Sequence, residues 1–184
     1  MALRYLNQAT VFQFGLSLAL LAFAASHAWA QLAPARWHVT PAGFGPVRIG
    51  MTQSQVKDAL GSDLLSEPVA GEISLDCVET SPRGWAGLEL MFENGRMTRM
   101  TIRDPSRLTT PRGIGAGTSE LEVRRAYSPT LKTEPHHYEN SPAKYLTYWT
   151  SRNLRGVRFE IGSTGRVEVI HAGSSSIEYV EGCL

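Results

Sequence analysis

Two stretches of this chain carry one pattern. GMTQSQVKDALG, from Gly50 to Gly61, returns about 67 positions later as GTSELEVRRAYS, from Gly117 to Ser128. Setting Gly50 on Gly117 pairs Thr52 with Ser119, Gln55 with Glu122, Val56 with Val123, Ala59 with Ala126 and Leu60 with Tyr127. A hydroxyl residue followed three positions on by Gln or Glu is a capping box, in which the hydroxyl accepts from an orphan amide while the third residue reaches back. Behind each cap the apolar positions 56, 59, 60 and 123, 126, 127 follow the i, i+3, i+4 spacing of one buried stripe. The pattern predicts two short amphipathic helices, ended by Gly61 and by Ser128-Pro129. Helices this short and one-sided need a sheet to lie on.

That sheet is readable at matching places. In GLELMFENGRMTRMTI, Leu88, Leu90 and Phe92 alternate with Glu89, Met91 and Glu93 before the hairpin dipeptide Asn94-Gly95. Met97 and Met100 lie three apart, which breaks the period of two and predicts a β-bulge near Thr98 and Arg99. GVRFEIGSTGRVEVIH, from Gly156 to His171, repeats the hairpin, with Val157, Phe159 and Ile161 opposing Arg158 and Glu160 across a longer turn at Gly162 to Gly165. KYLTYWT (Lys144 to Thr150) and SIEYVEGC (Ser176 to Cys183) read as further strands, while TSPRG (Thr80 to Gly84) and KTEPHHYENSPAK (Lys132 to Lys144) read as irregular connections. The fold class expected is α+β: two tandem repeats, residues 43–109 and 110–184, each with short helices packed on antiparallel strands. The period exceeds that of a solenoid unit and fits a duplicated small domain whose halves share a core.

The start of the chain reads as an export signal over residues 1–30, with Arg4, an apolar run from Val11 to Ala25 and Ala28-Trp29-Ala30 as the cleavage pattern; a lead-in over 31–42 follows. Gln13 and Ser17 interrupt the run, whereas a membrane span needs about 20 apolar residues. Cleavage would leave 17 Lys+Arg against 17 Asp+Glu. That neutrality argues against nucleic acid and anionic membranes as partners. A periplasmic or secreted location is expected, and in an oxidising compartment Cys77 and Cys183 are expected to pair.

The G-M-T-x-x-x-V-x-x-x-L-G helix with the F-x-N-G-R hairpin resembles the repeat of the SmpA/OmlA outer-membrane-assembly lipoproteins. Its tandem occurrence on an exported chain is similar to the β-lactamase inhibitory proteins. The resemblance covers residues 43–103 and 110–183. It implies the helix-on-sheet fold and a protein-binding role. Ala30-Gln31 carries no cysteine for the lipid of the assembly proteins. No contact residue transfers from the inhibitors, because no short motif defines their binding surfaces.

Catalytic motifs are sparse. His136-His137-Tyr138-Glu139, with Glu134, is the one local set of plausible metal ligands, but neither H-x-x-x-H nor a thiolate set accompanies it, so a solvated loop is the plainer reading. Gly113-x-Gly115-x-Gly117 lacks the spacing of a nucleotide loop and reads as an approach to a capped helix. No metal or cofactor is expected. Aromatic residues are more informative. Alternation in KYLTYWT places Leu146 and Tyr148 on one face and Tyr145, Thr147 and Trp149 on the other, where Tyr145 and Trp149 would join Arg158 and Glu160 on an open sheet surface. Trp85 is a further candidate for that patch. Tyr, Trp and Arg together are typical of binding hot spots. The functional expectation is an exported, non-enzymatic protein-binding module, in its sharpest form an inhibitor of a secreted or envelope hydrolase. The alternatives are a soluble envelope-assembly accessory and a small metal-dependent hydrolase using the His136 loop. A glycan or small ligand stays open beside a protein partner.

Overall fold

The computed structural model describes residues 37–65, 76–150 and 154–183; the expected signal segment and its cleavage point lie outside them. A small hairpin of β1 (Gly43–Phe44) and β2 (Val47–Arg48) leads into α1 (Gln53–Leu60). Then come β3 (Leu64–Leu65), β4 (Cys77–Pro82), β5 (Leu88–Glu93) and β6 (Arg96–Arg103). The second helix, α2 (Glu120–Tyr127), precedes β7 (Leu131–Pro135), β8 (Lys144–Trp149), β9 (Gly156–Ile161) and β10 (Val167–Gly173). The fold is thus α+β. Eight strands form one antiparallel sheet in the order β3-β4-β5-β6-β10-β9-β8-β7.

Both helices carry the capping box read from sequence. Thr52 N–H donates to Gln55 Oε1 at 2.9 Å and Gln55 N–H to Thr52 Oγ1 at 3.3 Å. Ser119 N–H donates to Glu122 Oε2 at 3.1 Å and Glu122 N–H to Ser119 Oγ at 3.4 Å. Gly61 closes α1 at φ 60°, the left-handed conformation in which glycine has no Cβ penalty. Each helix start is also pinned to a hairpin. Gly50 N–H donates to Met97 O and Met97 N–H to Met51 O, both at 2.8 Å; Gly117 N–H donates to Val167 O at 2.7 Å and Val167 N–H to Thr118 O at 2.8 Å. The guanidinium groups of Arg96 and Arg166 donate to the carbonyls of Gly50 and Gly117.

Val56 of α1 and Val123 and Tyr127 of α2 join Leu88, Leu90, Phe92, Met97, Met100, Leu146, Val157, Phe159 and Ile161 in one buried core on a single face of the sheet. The bulge lies where the methionine spacing predicts it: Met91 pairs with Arg99 and Phe92 with Met97, so Thr98 is the extra residue. Met97 and Met100 are both buried on the core face. Among the described residues no helix is long and apolar enough to cross a membrane.

Three local readings are corrected. Thr80 to Pro82 belong to β4, where Thr80 pairs with Leu90 of β5 and Ser81 and Pro82 pair with Leu65 and Leu64 of β3, and Lys132 to Pro135 belong to β7, paired along β8: neighbouring strands take up these polar stretches. Ser176 to Cys183 is not a strand: the chain forms a 3₁₀ helix, Ser175–Glu178, and then crosses the helix-free face of the sheet. The reason is positional. β10 is an interior strand, with β6 and β9 on its two edges, so the chain leaving it finds no free edge to pair with. Cys183 ends this crossing in a disulfide to Cys77 on β4, with Cα atoms 5.4 Å apart.

Candidate functional site

The helix-free face carries four of the five residues that the sequence singled out, Tyr145, Trp149, Arg158 and Glu160, but it is not open. Tyr145 pairs with Glu160, Thr147 with Arg158, and Arg158 with His171 in neighbouring strands, so their side chains share this face. The Arg158 guanidinium lies 3.9 Å from the Tyr145 ring centroid. Trp149 packs beside Gly156, at the position where a Gly156 Cβ would also meet Ile177. Tyr145 is 3 % and Arg158 6 % exposed, while Trp149 and Glu160 are part-buried, so the patch expected as an open surface is largely covered. Two segments supply the cover. The 3₁₀ segment lays Ile177 on β9, and the chain after β7 stacks the His136 ring on Tyr145 at 4.6 Å.

The crossing segment is fastened by one buried cation. Arg99 of β6 donates to Ser176 O at 3.2 Å, to Tyr179 O at 3.0 Å and to Glu79 Oε1 at 2.5 Å. Ser176 Oγ donates to Glu93 Oε2 at 2.7 Å. Burial is the largest influence on Arg99 and lowers its pKa, while Glu79 works in the opposite direction.

Beside the clamp lies a hydroxyl, imidazole and carboxylate in line. Thr101 Oγ1 is 3.0 Å from His171 Nδ1, and His171 Nε2 is 2.9 Å from Glu160 Oε1. Burial dominates His171 and lowers its pKa despite the Glu160 contact. Burial acts to raise Glu160, but the hydrogen bond from His171 and the positive groups around it hold the carboxyl below its usual value. The neutral imidazole therefore donates from Nε2 to the carboxylate and accepts from the threonine hydroxyl at Nδ1. The order is that of a nucleophilic triad. Thr101 is only 2 % exposed, however, and its hydroxyl has no approach for a substrate, so the network joins β6, β10 and β9 across the sheet.

The His136 loop does not converge on a metal. His136 Nδ1 accepts the N–H groups of Tyr138 and Glu139 at 3.2 and 3.1 Å, while His137 meets the Tyr138 ring edge-on. Among the described residues no group of three His, Cys, Asp or Glu has metal-binding geometry. Nor does the glycine loop form an anion cradle, because its amides are taken: Gly113 N–H by Thr110 O, Gly115 N–H by Thr118 Oγ1, Gly117 N–H by Val167 O.

Trp85 lies apart from the other four candidates. Its ring stacks on Trp37 with centroids 5.3 Å apart and meets Phe44 at 5.5 Å, against the core on the helix side. Trp37, His171 and Arg99 were not singled out from sequence as functional residues. Parity along β10 and β6 places the last two on the Arg158 face; nothing in the sequence signals that Trp37 would meet Trp85. Comparison with family models, with curated proteins and with solved structures returned no match for this chain.

Proposed function

We propose that this chain is an exported binding protein built from two copies of one helix-plus-hairpin unit, and that it recognises a partner protein over the helix-free face. The duplication is supported by the paired contacts: Gly50 and Met51 against Met97 with Arg96 on Gly50 O, Gly117 and Thr118 against Val167 with Arg166 on Gly117 O. Export is supported by the signal-like start and by the disulfide.

The observation that carries the binding reading is the placement of exposed apolar side chains. Tyr138 is 62 %, Tyr179 44 % and Val180 40 % exposed, and each sits on a segment that covers the helix-free face. The buried Tyr145 and Arg158, with the part-buried Glu160, form the floor beneath these segments, and the disulfide and the Arg99 clamp hold the one that carries Tyr179 and Val180. Rigid aromatic side chains on an ordered backbone lose little entropy on binding. A hydrolase of the envelope or the medium fits the resemblance to inhibitory proteins.

The test uses the oxidised protein after signal removal as bait on periplasm and culture supernatant, followed by calorimetry against the captured protein. Tyr138→Ala with Tyr179→Ala should weaken binding at least about tenfold with unchanged thermal unfolding. Equal affinity of the double variant, or no captured protein, overturns the reading.

A further inference from the structure

At the far side of the core from the covered face, Trp37 and Trp85 line a groove of about 950 Å³ with His38, Pro105, Arg107 and Leu108. We propose that this groove binds a short oligosaccharide bearing ring carboxylates. The inference is independent of the partner surface, because no residue is shared between the two.

The wall is preformed. Trp37 and Trp85 stack with an interplanar angle of 10°, and Phe44 meets them edge-on at 6.2 and 5.5 Å. A Cβ on Gly45 would lie 2.3 Å from the Trp37 ring, so the backbone of the β1 to β2 turn presses on that indole. Gly45 and Trp85 both lie against Trp37, and both indoles are part-exposed where they line the groove. A fixed indole suits a sugar ring, which is flat on the scale of the indole and apolar along its C–H face.

Charge selects the acidic kind. Arg107 is exposed and makes no ion pair or hydrogen bond among the described residues. His38 holds its Nδ1 3.3 Å from Thr109 Oγ1, which leaves Nε2 for a second contact. No Asp or Glu lines the groove. An unopposed guanidinium beside an aromatic wall favours a carboxylate-bearing ring, which it can engage with two parallel N–H bonds.

An extended peptide is a poorer match, because several N–H groups at and beside the groove are already engaged. Trp85 N–H donates to Pro82 O at 3.1 Å, Ser106 N–H to Arg103 O at 2.9 Å, Val39 N–H to Thr109 O at 2.9 Å and Leu108 N–H to Ser106 Oγ at 3.3 Å. Recognition falls to ring stacking and side-chain donors.

The experiment titrates the full oxidised protein with a galacturonic acid trimer, a neutral galactose trimer and an acidic proline-containing peptide, reading tryptophan fluorescence and heat. The uronide should saturate, the neutral trimer and the peptide should bind at least about tenfold more weakly, and Arg107→Gln should cut uronide affinity about tenfold. Trp85→Ala should remove the fluorescence response. Arg107 is exposed, so its variant should unfold at the wild-type temperature and keep the test valid if Trp85→Ala folds poorly. No saturation below about 10 mM, equal binding of the two trimers, an unaffected Arg107→Gln variant or preferential peptide binding overturns the proposal.

Discussion

Arg99→Met is the most informative single change, because one side chain joins the central sheet to the crossing segment. The Arg99 side chain is 4 % exposed and its Glu79 partner 21 %, and two of its three hydrogen bonds hold the carbonyls of Ser176 and Tyr179. Removing one member of a buried ion pair costs about 3 to 5 kcal/mol. Glu79 keeps some contact with water, which puts the cost near the low end. Arg99 Nε is buried without a partner, a penalty of roughly 1 kcal/mol that methionine removes. The net expectation is a loss of about 2 kcal/mol. Urea unfolding of the oxidised protein, followed by tryptophan fluorescence, measures it. Glu79→Gln keeps an acceptor and should cost less, and the double variant should fall short of the sum of the two single losses. With Cys183 still tethered, limited proteolysis should cut near Ser174 to Glu178 sooner than in wild type. A stability within about 0.5 kcal/mol of wild type and unchanged cleavage would refute the clamp.

Two further changes probe the same face. His171 has a lowered pKa in the fold against an ordinary value of 6.5, so as pH falls below 6.5 the unfolded chain takes up the proton first and stability declines. Unfolding midpoints measured from pH 7.5 downward should therefore begin to fall near pH 6.5, and His171→Gln should flatten that limb; a parallel decline in the variant would assign it elsewhere. Gly156→Ala places a Cβ 2.6 Å from Tyr148 O and 2.9 Å from both Ile177 Cδ1 and Trp149 Cε3. The carbonyl belongs to the paired strand β8 and yields little, so a loss of roughly 1 to 3 kcal/mol with altered tryptophan emission is expected from denaturant unfolding.

The features that sequence reasoning recovered are those set by near neighbours in the chain. A capping box is decided within four residues, the Asn94-Gly95 turn within two, and the bulge at Thr98 by counting the interval between two methionines. Strand parity likewise sorted Leu146 and Phe159 to the core and Tyr145 and Arg158 to the other face, because side chains alternate whatever the sheet packs on. The sequence understates the extents of β4 and β7, since Pro and Ser weaken a strand signal that an available neighbouring edge restores.

Long-range geometry decided the remainder. The repeated pattern at Gly50 and Gly117 predicts two helices on strands, but only the meeting of β6 with β10 makes one sheet of eight strands. That meeting leaves the chain after Gly173 without an edge, sends it across the helix-free face and buries the patch that alternation alone had left exposed. Trp37 and Trp85 likewise come together only because the lead-in docks at the end of the core, 48 positions from its partner in sequence. Local sequence determines which way a side chain points; what then covers it depends on contacts that close loops of tens of residues, and these appear only when the whole chain is packed.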